Sequence, residues 1–497
     1  MILQLTEDRK FLQITSCTQG EYDQYKLSLT KRIDSWRWHP LVKKGIWNGE
    51  ISYIKGSKIP SGLWKECQEI ADEYKFDISI KGINVLFNPD FVEDDFLKWC
   101  DDFFSNTDKK PRDYQLESCI KILKYRRCLS ELATASGKSM ILFICLAYIL
   151  EMKWASRVLL IVPNVSLVLQ MTEDFDDYNQ DKLKLKIQQI YAGSKIKKSN
   201  NIVIGTYQSL VKKDQEYYKD FDAVAIDETH TAGTAVSVQK ILEKLSHCDY
   251  RFGVSGTIPK KGTINRLTLM SVTGPVITKI GADYLIKKGH ITPCEVKILK
   301  LDYATEAQKE AFKFLSKTPE DRKKLFNLEQ NFIIESVKRR NFITDIMSKV
   351  KKNSLVLFYR IEHGQAIYND LREKSENEVY YIDGSTDKNV RDAYKKKMED
   401  GEGRILVASF GTFSTGINIT ALHNIFLVES FKSEIIIRQS IGRGLRKHLL
   451  KNKLTLVDFV DDFGIDKFRN YLLRHCDARI LIYNEQNFPY EIRTFRF

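Results

Sequence analysis

Short apolar, β-branched runs alternate with longer helical patterns over two parts of the chain. Four runs before residue 280 read as strands: Arg157–Val162, Asn201–Gly205, Ala223–Ile226 and Arg251–Val254. Five more follow residue 350: Ser354–Phe358, Val379–Ile382, Arg404–Ala408, Ile425–Val428 and Thr455–Phe459. A lysine- and glutamate-rich helical stretch, Thr305–Lys352, separates the two groups. Such alternation predicts two α/β domains, each with a parallel sheet covered by helices on both faces.

The first hundred residues have a different pattern. Turn-forming residues flank Ile51–Ile54, which predicts a short strand, and Trp64–Tyr74 has the periodicity of an amphipathic helix. The polar stretch Ser105–Pro111 reads as a linker. We therefore predict a small α+β domain at residues 1–105, a first α/β domain at 106–285 and a second at 286–497.

Composition excludes several classes of protein. The chain has 497 residues, of which 43% are hydrophobic and 29% charged, and this is ordinary for a globular protein. The longest apolar run, Met140–Leu150, is too short to span a bilayer, and the N-terminus lacks the features of a secretory signal. The nine cysteines are irregularly spaced, without a CxxC pair. These features predict no membrane association, a cytoplasmic location and reduced, mostly buried thiols.

Positive charge is concentrated outside the first hundred residues. The net charge is +13, yet the first hundred residues carry 14 basic and 15 acidic side chains. A basic surplus of this kind suggests a polyanionic partner such as nucleic acid.

The segment Ala133–Ser139, with the sequence ATASGKS, has the pattern of a phosphate-binding loop that ends at a helix N-terminus. Backbone N–H groups and the helix dipole favour phosphate there. Lys138 would reach the β- and γ-phosphates, and the Ser139 hydroxyl would bind Mg²⁺. Leu132 stands where the pattern has glycine, so the loop alone leaves a chance match open.

Two carboxylates, Asp227 and Glu228, follow the apolar run Ala223–Ile226. Ligands of open parallel sheets bind at the carboxyl ends of strands. Asp227 can hold Mg²⁺ through water, and Glu228 can deprotonate an attacking water. An acidic loop without chemistry is the alternative interpretation.

A pair of arginines, Arg443 and Arg446, lies about 300 residues after Lys138 in the sequence QSIGRGLR. Three residues apart, they are expected on one side of a helix, where guanidinium groups can stabilise the charge of phosphoryl transfer. A solvated basic helix face is the alternative.

Taken in order, these segments resemble the motifs of superfamily 2 helicases and translocases of the DExH type. Pro111–Gln115 resembles the Q-motif and Ala133–Ser139 resembles motif I, with Ala135 at a usual glycine. Asp227–His230 resembles the DExH box, and Gln439–Arg446 fits the pattern QxxGRxxR. The segments similar to motifs Ia, Ic, III, IV and V are Val162–Gln170, Ile204–Leu210, Ser255–Thr257, Ser354–Arg360 and Phe410–Asn418. The resemblance covers residues 111 to 465.

This resemblance implies two RecA-like domains that close on ATP and Mg²⁺. The implied nucleotide-binding residues are Arg112, Gln115, Thr134, Ser136, Gly137, Lys138, Ser139 and Gly416, with Gln115 reading the adenine edge and Gly416 near the ribose. The implied coupling residues are His230, Ser255, Thr257 and Gln439. The implied nucleic-acid-binding residues are Pro163, Asn164, Gly205, Thr206, Gln208, Tyr359, Arg360, Thr412 and Thr415. Asn418 replaces a usual aspartate.

The N-terminal region adds a narrower resemblance. Its segments Trp36–Pro40, Gly45–Gly49 and Lys58–Gly62 are similar to the UvsW family of tailed-phage recombination helicases. This implies ATP-driven remodelling of branched or forked DNA (fork regression, Holliday-junction branch migration, and unwinding of R-loops or D-loops) in recombination, repair and replication. An RNA–DNA hybrid as substrate, recombination or single-strand-binding proteins as partners, and action in the host-cell cytoplasm are further implications.

Three alternatives stay open at this point. A DExH RNA helicase would carry the same motor motifs, because phosphate contacts do not report the sugar. The motor subunit of a restriction system predicts a nuclease module, and residues 1–110 show no convincing one. A nucleic-acid-binding protein with an inactive ATPase would be expected to lack Lys138, Glu228 or the arginines. The N-terminal tryptophans are interpreted as core residues or, alternatively, as a stacking surface at a DNA junction.

Overall fold

The computed structural model describes residues 1–34, 36–194, 200–231, 236–303, 319–414, 419–430, 434–448, 451–463 and 469–496. Side chains are described for all of these except Thr231, 319–323, Ser414, 434–436 and Gln439. The predicted site residues Thr415 and Gly416 and the variant position Asn418 therefore lie outside the described residues. The chain divides into two compact units, Met1–Ile280 and Gly281–Phe497.

The first unit begins with a small mixed sheet. Its described strands are β1 Ile2–Leu5, β2 Phe11–Ser16, β3 Thr30–Arg32, β4 Glu50–Ser52, β5 Lys58–Pro60 and β6 Ser79–Lys81. Four of them pair in the order β5-β2-β1-β6, while β3 and β4 form a separate antiparallel pair. The helices of this region are Gln19–Ser28, Pro40–Lys43, Trp64–Tyr74 and Glu93–Phe103. The predicted helix at Trp64–Tyr74 is confirmed, and the strand predicted at Ile51–Ile54 lies slightly earlier.

A seven-stranded parallel sheet forms the rest of the first unit. Its strands are β7 Arg127–Leu132, β8 Val158–Val162, β9 Ile187–Ile190, β10 Ile202–Thr206, β11 Ala223–Asp227, β12 Tyr250–Ser255 and β13 Val276–Ile280. They lie in the order β13-β7-β12-β11-β8-β10-β9. The described helices are Asp113–Tyr125, Lys138–Glu151, Val165–Asn179, Tyr207–Leu210, Val236–Lys244 and Ile264–Val272.

The second unit contains another seven-stranded parallel sheet. Its strands are β14 Cys294–Asp302, β15 Ser354–Phe358, β16 Glu378–Ile382, β17 Arg404–Ser409, β18 Asn424–Leu427, β19 Leu454–Asp462 and β20 Tyr490–Arg496, in the order β16-β17-β15-β18-β19-β14-β20. Its described helices are Ala282–Lys287, Pro319–Glu335, Val337–Ser348, Ile361–Lys374, Lys388–Asp400, Phe410–Ser414, Glu434–Gly444 and Tyr471–Glu485. Two parallel-sheet domains and a small N-terminal α+β region confirm the predicted fold class.

Five strands of the two large sheets, β7, β9, β13, β14 and β20, were absent from the sequence prediction. Charged residues interrupt the apolar pattern of four of them, as in the sequence YEIRTFR of β20, which is mostly exposed at a sheet edge, and two glutamines interrupt that of β9. The long apolar helix Lys138–Glu151 is buried over Met140–Ile149, in agreement with its apolar character on every side. Eight of the nine cysteines are buried, as predicted, and Cys17 is exposed.

The N-terminal region packs directly on the first large sheet. One apolar core includes Leu3, Leu12 and Ile59 of the small sheet together with Leu267 and Met270 of the helix Ile264–Val272. The backbone at Gly62 approaches this helix so closely that a Cβ atom there would lie 2.1 Å from the carbonyl oxygen of Met270. No helix in the described ranges combines the length and the apolar character that a membrane crossing needs.

Candidate nucleotide and nucleic-acid sites

The phosphate loop connects the end of β7 to the start of the helix Lys138–Glu151. Gly137 stands immediately before this helix with φ +77°, and a Cβ atom there would lie 2.3 Å from the Gln115 amide nitrogen. Glycine is therefore required at 137 both by conformation and by space. Ala135 also has a positive φ, +68°, which explains why glycine is usual at this position.

Two neighbouring side chains of the helix Asp113–Tyr125 hold this loop. The Gln115 amide donates to the Ser136 carbonyl at 2.9 Å, and its oxygen accepts from the Arg112 backbone N–H at 2.8 Å. The Tyr114 hydroxyl donates to the same Ser136 carbonyl at 2.7 Å. The structure thus places Gln115 against the loop backbone, while its contact with adenine stays a prediction. Tyr114 was not singled out in the sequence, where it looks like an ordinary core aromatic.

The acidic pair at the end of β11 lies against the phosphate-loop lysine. The Lys138 ammonium nitrogen is 3.2 Å from a carboxylate oxygen of Glu228, and both side chains are largely buried. Burial raises the pKa of Glu228, but the positive charge of Lys138 and the hydrogen bond with His230 outweigh it and hold that pKa well below its usual range. Burial and the negative charge of Glu228 raise the pKa of Asp227 to about 7. Glu228 has φ +49°, a strained conformation of the kind found at functional sites.

A short polar chain leads from Glu228 to the end of the neighbouring strand β12. His230 Nδ1 lies 3.3 Å from Glu228 Oε2 and 2.9 Å from the Ser255 hydroxyl oxygen. That hydroxyl donates to the Thr257 carbonyl at 2.8 Å. Three of the four predicted coupling residues, His230, Ser255 and Thr257, are therefore in contact; the side chain of the fourth, Gln439, lies outside the described residues.

The donor set around the loop fits a phosphate and a hard cation. One carboxylate oxygen of Asp227 and the hydroxyl of Ser136 are buried, and neither has a hydrogen-bond partner among the described residues. Thr134 lies next to the loop segment at Gly256, where an added Cβ would be 3.3 Å from the Thr134 hydroxyl and 3.4 Å from Lys138 Nζ. The Ser139 hydroxyl lies 3.0 Å from the Tyr178 hydroxyl. An oxygen-liganded Mg²⁺ would satisfy the unpaired Asp227 oxygen.

The residues of the first unit that are predicted to contact nucleic acid lie at the carboxyl edge of its sheet, around the ends of β8 and β10. Strands β8 and β10 pair in parallel with Val162 opposite Thr206, so the residues that follow both strands are neighbours. The Gln208 amide donates to the Pro163 carbonyl at 3.1 Å and joins the two segments. Asn164 caps the helix Val165–Asn179 by accepting from the Leu167 N–H. Gly205 is buried in β10, one residue before the strand ends, and an added Cβ there would lie 3.1 Å from Leu210.

Corresponding residues of the second unit lie at the carboxyl edge of its own sheet. Tyr359 is 67% exposed after β15, and Arg360 beside it is also exposed. Thr412 follows the paired strand β17, is buried, and lies with its hydroxyl 2.8 Å from that of Ser409.

Below Tyr359, a buried pair supports the turn: Glu429 accepts from the Arg360 N–H and lies 2.8 Å from His363 Nδ1. Glu429 was missed in the sequence, although it has the same signal as Asp227, a carboxylate directly after an apolar strand.

The two arginines lie on different local structures, so the prediction that both share one helix face is wrong. The helix Glu434–Gly444 carries Arg443 but ends two residues before Arg446. At Gly444 an added Cβ would lie 2.8 Å from Leu454 and 2.9 Å from Ile425, so the chain packs tightly on the sheet and turns there. Arg443 donates to the Phe413 carbonyl, and its guanidinium carbon lies 5.3 Å from the centre of the Phe413 ring.

Comparisons with known proteins agree with this arrangement. Residues 108–260 match the family described as type III restriction enzyme, res subunit, and residues 338–448 match the helicase conserved C-terminal domain. The ATP-dependent DNA helicase UvsW of enterobacteria phage T4 is 30% identical over 500 residues, which cover 96% of each chain. This chain belongs to the UvsW family of superfamily 2 helicases. It is an ATP-hydrolysing helicase that acts on nucleic acid.

More distant relatives share parts of this UvsW-like chain. The DNA 3′-5′ translocase XPB2 of Sulfurisphaera tokodaii is 23% identical over 68% of this chain and 78% of its own. The structure of the type ISP restriction-modification enzyme LlaBIII bound to DNA matches 79% of this chain and 32% of its own, with TM-score 0.58 and 16% identity. At 16% identity, the similarity to LlaBIII shows a shared fold alone.

Proposed function

We propose that this helicase is a DNA motor that remodels branched DNA, by fork regression, branch migration of Holliday junctions and unwinding of R-loops or D-loops during recombination, repair and replication. The observation that carries the proposal is the likeness to a phage DNA helicase along 96% of both chains, which includes the N-terminal region as well as the motor. A translocase that acts on DNA is also similar over two thirds of the chain.

The nucleotide site supports a division of roles in ATP hydrolysis. Lys138 and the loop residues Thr134, Ser136 and Gly137 bind the phosphates, while Ser139 and Asp227 hold Mg²⁺. Glu228, whose low pKa keeps it ionised, orients the attacking water and accepts its proton once the Lys138 ammonium moves to the phosphates, because that ammonium is what lowers its basicity. Arg443 and Arg446 stabilise the charge of the transferred phosphoryl group, and Gly416 contacts the ribose.

Coupling of hydrolysis to movement is proposed to follow the polar chain from Glu228 through His230 to Ser255 and Thr257. These groups join the ends of β11 and β12, so a change at the γ-phosphate alters the hydrogen bonds between two adjacent strands. Residues at the carboxyl edge of each sheet are proposed to contact the sugar-phosphate backbone of a nucleic-acid strand. They are Pro163, Asn164, Gly205, Thr206, Gln208, Tyr359, Arg360, Thr412 and Thr415.

Residues 1–105 are proposed to position the junction. Between residues 30 and 50, the side chains of Trp38, Leu41 and Ile46 are 73%, 44% and 69% exposed, and the Lys43 ammonium lies 4.9 Å from the centre of the Trp38 ring. Exposed aromatic groups beside basic ones can stack on unpaired bases and contact phosphates.

The deciding experiment is the ATPase rate of the full chain on matched lengths of single-stranded DNA, duplex, fork, four-way junction and single-stranded RNA. The proposal expects the largest stimulation by the fork or the four-way junction. Trp38→Ala should reduce the advantage of branched DNA over single strands, and Tyr490→Ala, an exposed aromatic of the second unit, should not. Stronger stimulation by RNA than by any DNA would instead support the RNA-helicase alternative.

A further inference from the structure

A cavity of about 490 Å³ lies within the first unit, on the side of the sheet where the N-terminal region packs. One wall comes from the small N-terminal sheet and its turns, and the other from the helices Val236–Lys244 and Ile264–Val272 with the starts of β7 and β12. Its volume is within the range typical of small-molecule sites. Phosphate-loop and acidic-pair residues are not among those that line it.

The charges around this cavity are unbalanced. Twenty described residues line it, of which five carry positive charge and one, Glu243, carries negative charge. The positive residues are Lys10, Lys55, Lys58, Arg127 and Arg251. The three lysines are exposed, whereas Arg127 and Arg251 are 9% and 7% exposed.

The two buried arginines bind backbone carbonyls rather than carboxylates. Arg251 donates to the carbonyls of Val272 and Leu245, at 2.9 and 3.1 Å, which lie at or just beyond the C-terminal ends of two helices. Arg127 donates to the Cys248 and Arg9 carbonyls, both at 3.0 Å. Carbonyl groups at helix ends satisfy donors and carry partial negative charge, but they do not neutralise two guanidinium ions. The Asp249 carboxylate also favours the charged form of Arg127, but it is shared with Arg9 and Arg126.

One donor of this pair has no partner. The Arg251 Nε–H is buried and is not hydrogen-bonded within the described part of the chain. Burial, together with the positive charge of Arg127, lowers the pKa of Arg251 to about 9. A buried, unpartnered donor beside a second buried cation is costly unless an anion completes the site.

The remaining lining combines aromatic and apolar side chains with hydroxyl and amide groups, which suits a nucleoside. Phe11, Tyr53 and Leu242 line the same cavity, and the Lys58 ammonium lies 5.8 Å from the centre of the Phe11 ring. The Tyr53 hydroxyl donates to the Ile264 carbonyl at 3.0 Å, which fixes its ring against the helix. Aromatic rings of this kind stack on nucleobases.

We propose that this cavity is a second nucleotide-binding site, in which Arg127 and Arg251 bind a phosphate and the Phe11 side of the cavity receives the nucleoside. The phosphate belongs either to a free mononucleotide or to the terminal nucleotide of a DNA strand. Because the N-terminal region and the motor sheet both contribute to its walls, a ligand here would join the two. The site is separate from the motor ATP site, and its existence does not depend on branched DNA being the substrate.

Lysine acylation of the full chain, mapped by mass spectrometry, tests this proposal site by site. The reactivities of Lys10, Lys55 and Lys58 report the cavity, Lys138 reports the motor site, and exposed Lys212 is the internal reference. The probes are adenosine 5′-monophosphate, 5′-phosphorylated dithymidine, inorganic phosphate and adenosine. We expect the two phosphorylated nucleotides to lower acylation of Lys55 and Lys58 several-fold, phosphate to do so weakly and adenosine not at all. The relative protection by the mononucleotide and the dinucleotide identifies the source of the phosphate.

Variants then test whether protection comes from the cavity. Arg251→Met should abolish protection of the lysines. Because a change at this buried position could also prevent folding, a second variant is needed. Gln239→Trp serves this purpose, since it fills the cavity from a half-buried helix position. Lys240→Trp, on the adjacent exposed position, is its control and should keep protection. The Lys138→Ala variant should be protected like the unaltered chain. Absence of protection at Lys55 and Lys58, or protection that persists in Gln239→Trp, would overturn the proposal.

Discussion

The ammonium group of Lys138 and the carboxylate of Glu228 form a largely buried ion pair, with 3.2 Å between nitrogen and oxygen. The group proposed to bind phosphate thus neutralises the group proposed to activate water. We expect a triphosphate that attracts Lys138 to compete with this pair and to make Glu228 available to the attacking water. On this proposal, nucleotide binding is linked directly to activation of the base.

Replacement of Lys138 by alanine should remove ATP hydrolysis and leave DNA binding largely in place. The Lys138 side chain supplies the positive charge for the phosphates, whereas the predicted DNA contacts lie at the ends of other β-strands, such as β8 and β10. Steady-state ATPase with forked DNA and fluorescence anisotropy of the same fork measure the two properties. Lys212→Ala, at an exposed lysine, is the control. DNA-stimulated hydrolysis near the original rate would show that the phosphate-loop assignment is wrong.

Glu228→Gln should bind ATP and fail to hydrolyse it. Loss of a general base commonly lowers rates by about 10²–10⁴-fold, while the amide keeps the size of the side chain. A fluorescent ATP analogue measures binding, and a single-turnover assay measures cleavage. Glu216→Gln, on an exposed segment of the same unit, should behave like the unaltered chain. If Glu228→Gln turns over at the normal rate, another group is the base.

Ala135→Gly should raise the free energy of unfolding by up to about 1 kcal/mol. An L-residue at positive φ destabilises the folded state by about 1–2 kcal/mol, and glycine removes this strain. Glycine's greater freedom in the unfolded chain offsets part of the stabilisation. Chemical denaturation measures the change. Ala133→Gly is the matched control: its φ is not positive, so the change should destabilise the protein. Destabilisation by both variants would mean that Ala135 is not strained.

Replacement of Arg446 or Arg443 by alanine should reduce ATP turnover by about 10³-fold or more, by analogy with arginine fingers. Binding of ATP should change far less, since the arginines are proposed to act on charge that develops in the transition state. Arg438 lies on the same helix as Arg443 and pairs with Glu485 of the helix Tyr471–Glu485, so Arg438→Ala is the control for structural effects. Equal losses in Arg438→Ala and Arg446→Ala would contradict a transition-state role.

Lys451 should make stability depend on pH. Its ammonium is buried and donates to the carbonyls of Thr420 and Gly444, at 2.7 and 2.8 Å, and so ties the end of the Arg443 helix to the segment after motif V. Burial lowers the pKa of Lys451 to about 8. Between pH 8 and about 10.4, the usual lysine value, the unfolded chain binds more protons than the folded one, so stability should rise with pH.

Denaturation of the unaltered chain and of Lys451→Met across this pH range measures the effect. The difference in unfolding free energy should move in favour of the unaltered chain as pH rises from 8 to 10. Lys453→Met, at an exposed lysine two residues away, should show no such trend. Parallel pH profiles for all three proteins would show that Lys451 titrates normally.

Much of the motor was determined by the sequence itself. Strand periodicity is a local property, so nine strands of the large sheets could be predicted closely, and Ser354–Phe358 to the residue. In a parallel sheet, each strand places the residues that follow it at the same edge. The sequence therefore predicts that Lys138 lies near Asp227 and Glu228, and the structure has Lys138 3.2 Å from Glu228.

Only the tertiary structure decided the contacts between distant segments. Glycine is required at 444, the last residue of the Arg443 helix, because Ile425 of β18 and Leu454 of β19 leave no room for a side chain. Glu429 meets His363 across 66 residues. The cavity beside Arg251 exists because Gly62 and Tyr53 pack on a helix some 200 residues later in the chain. Local hydrophobic patterns show which faces are buried, but they do not show which partner buries them, and that choice depends on packing of the whole unit.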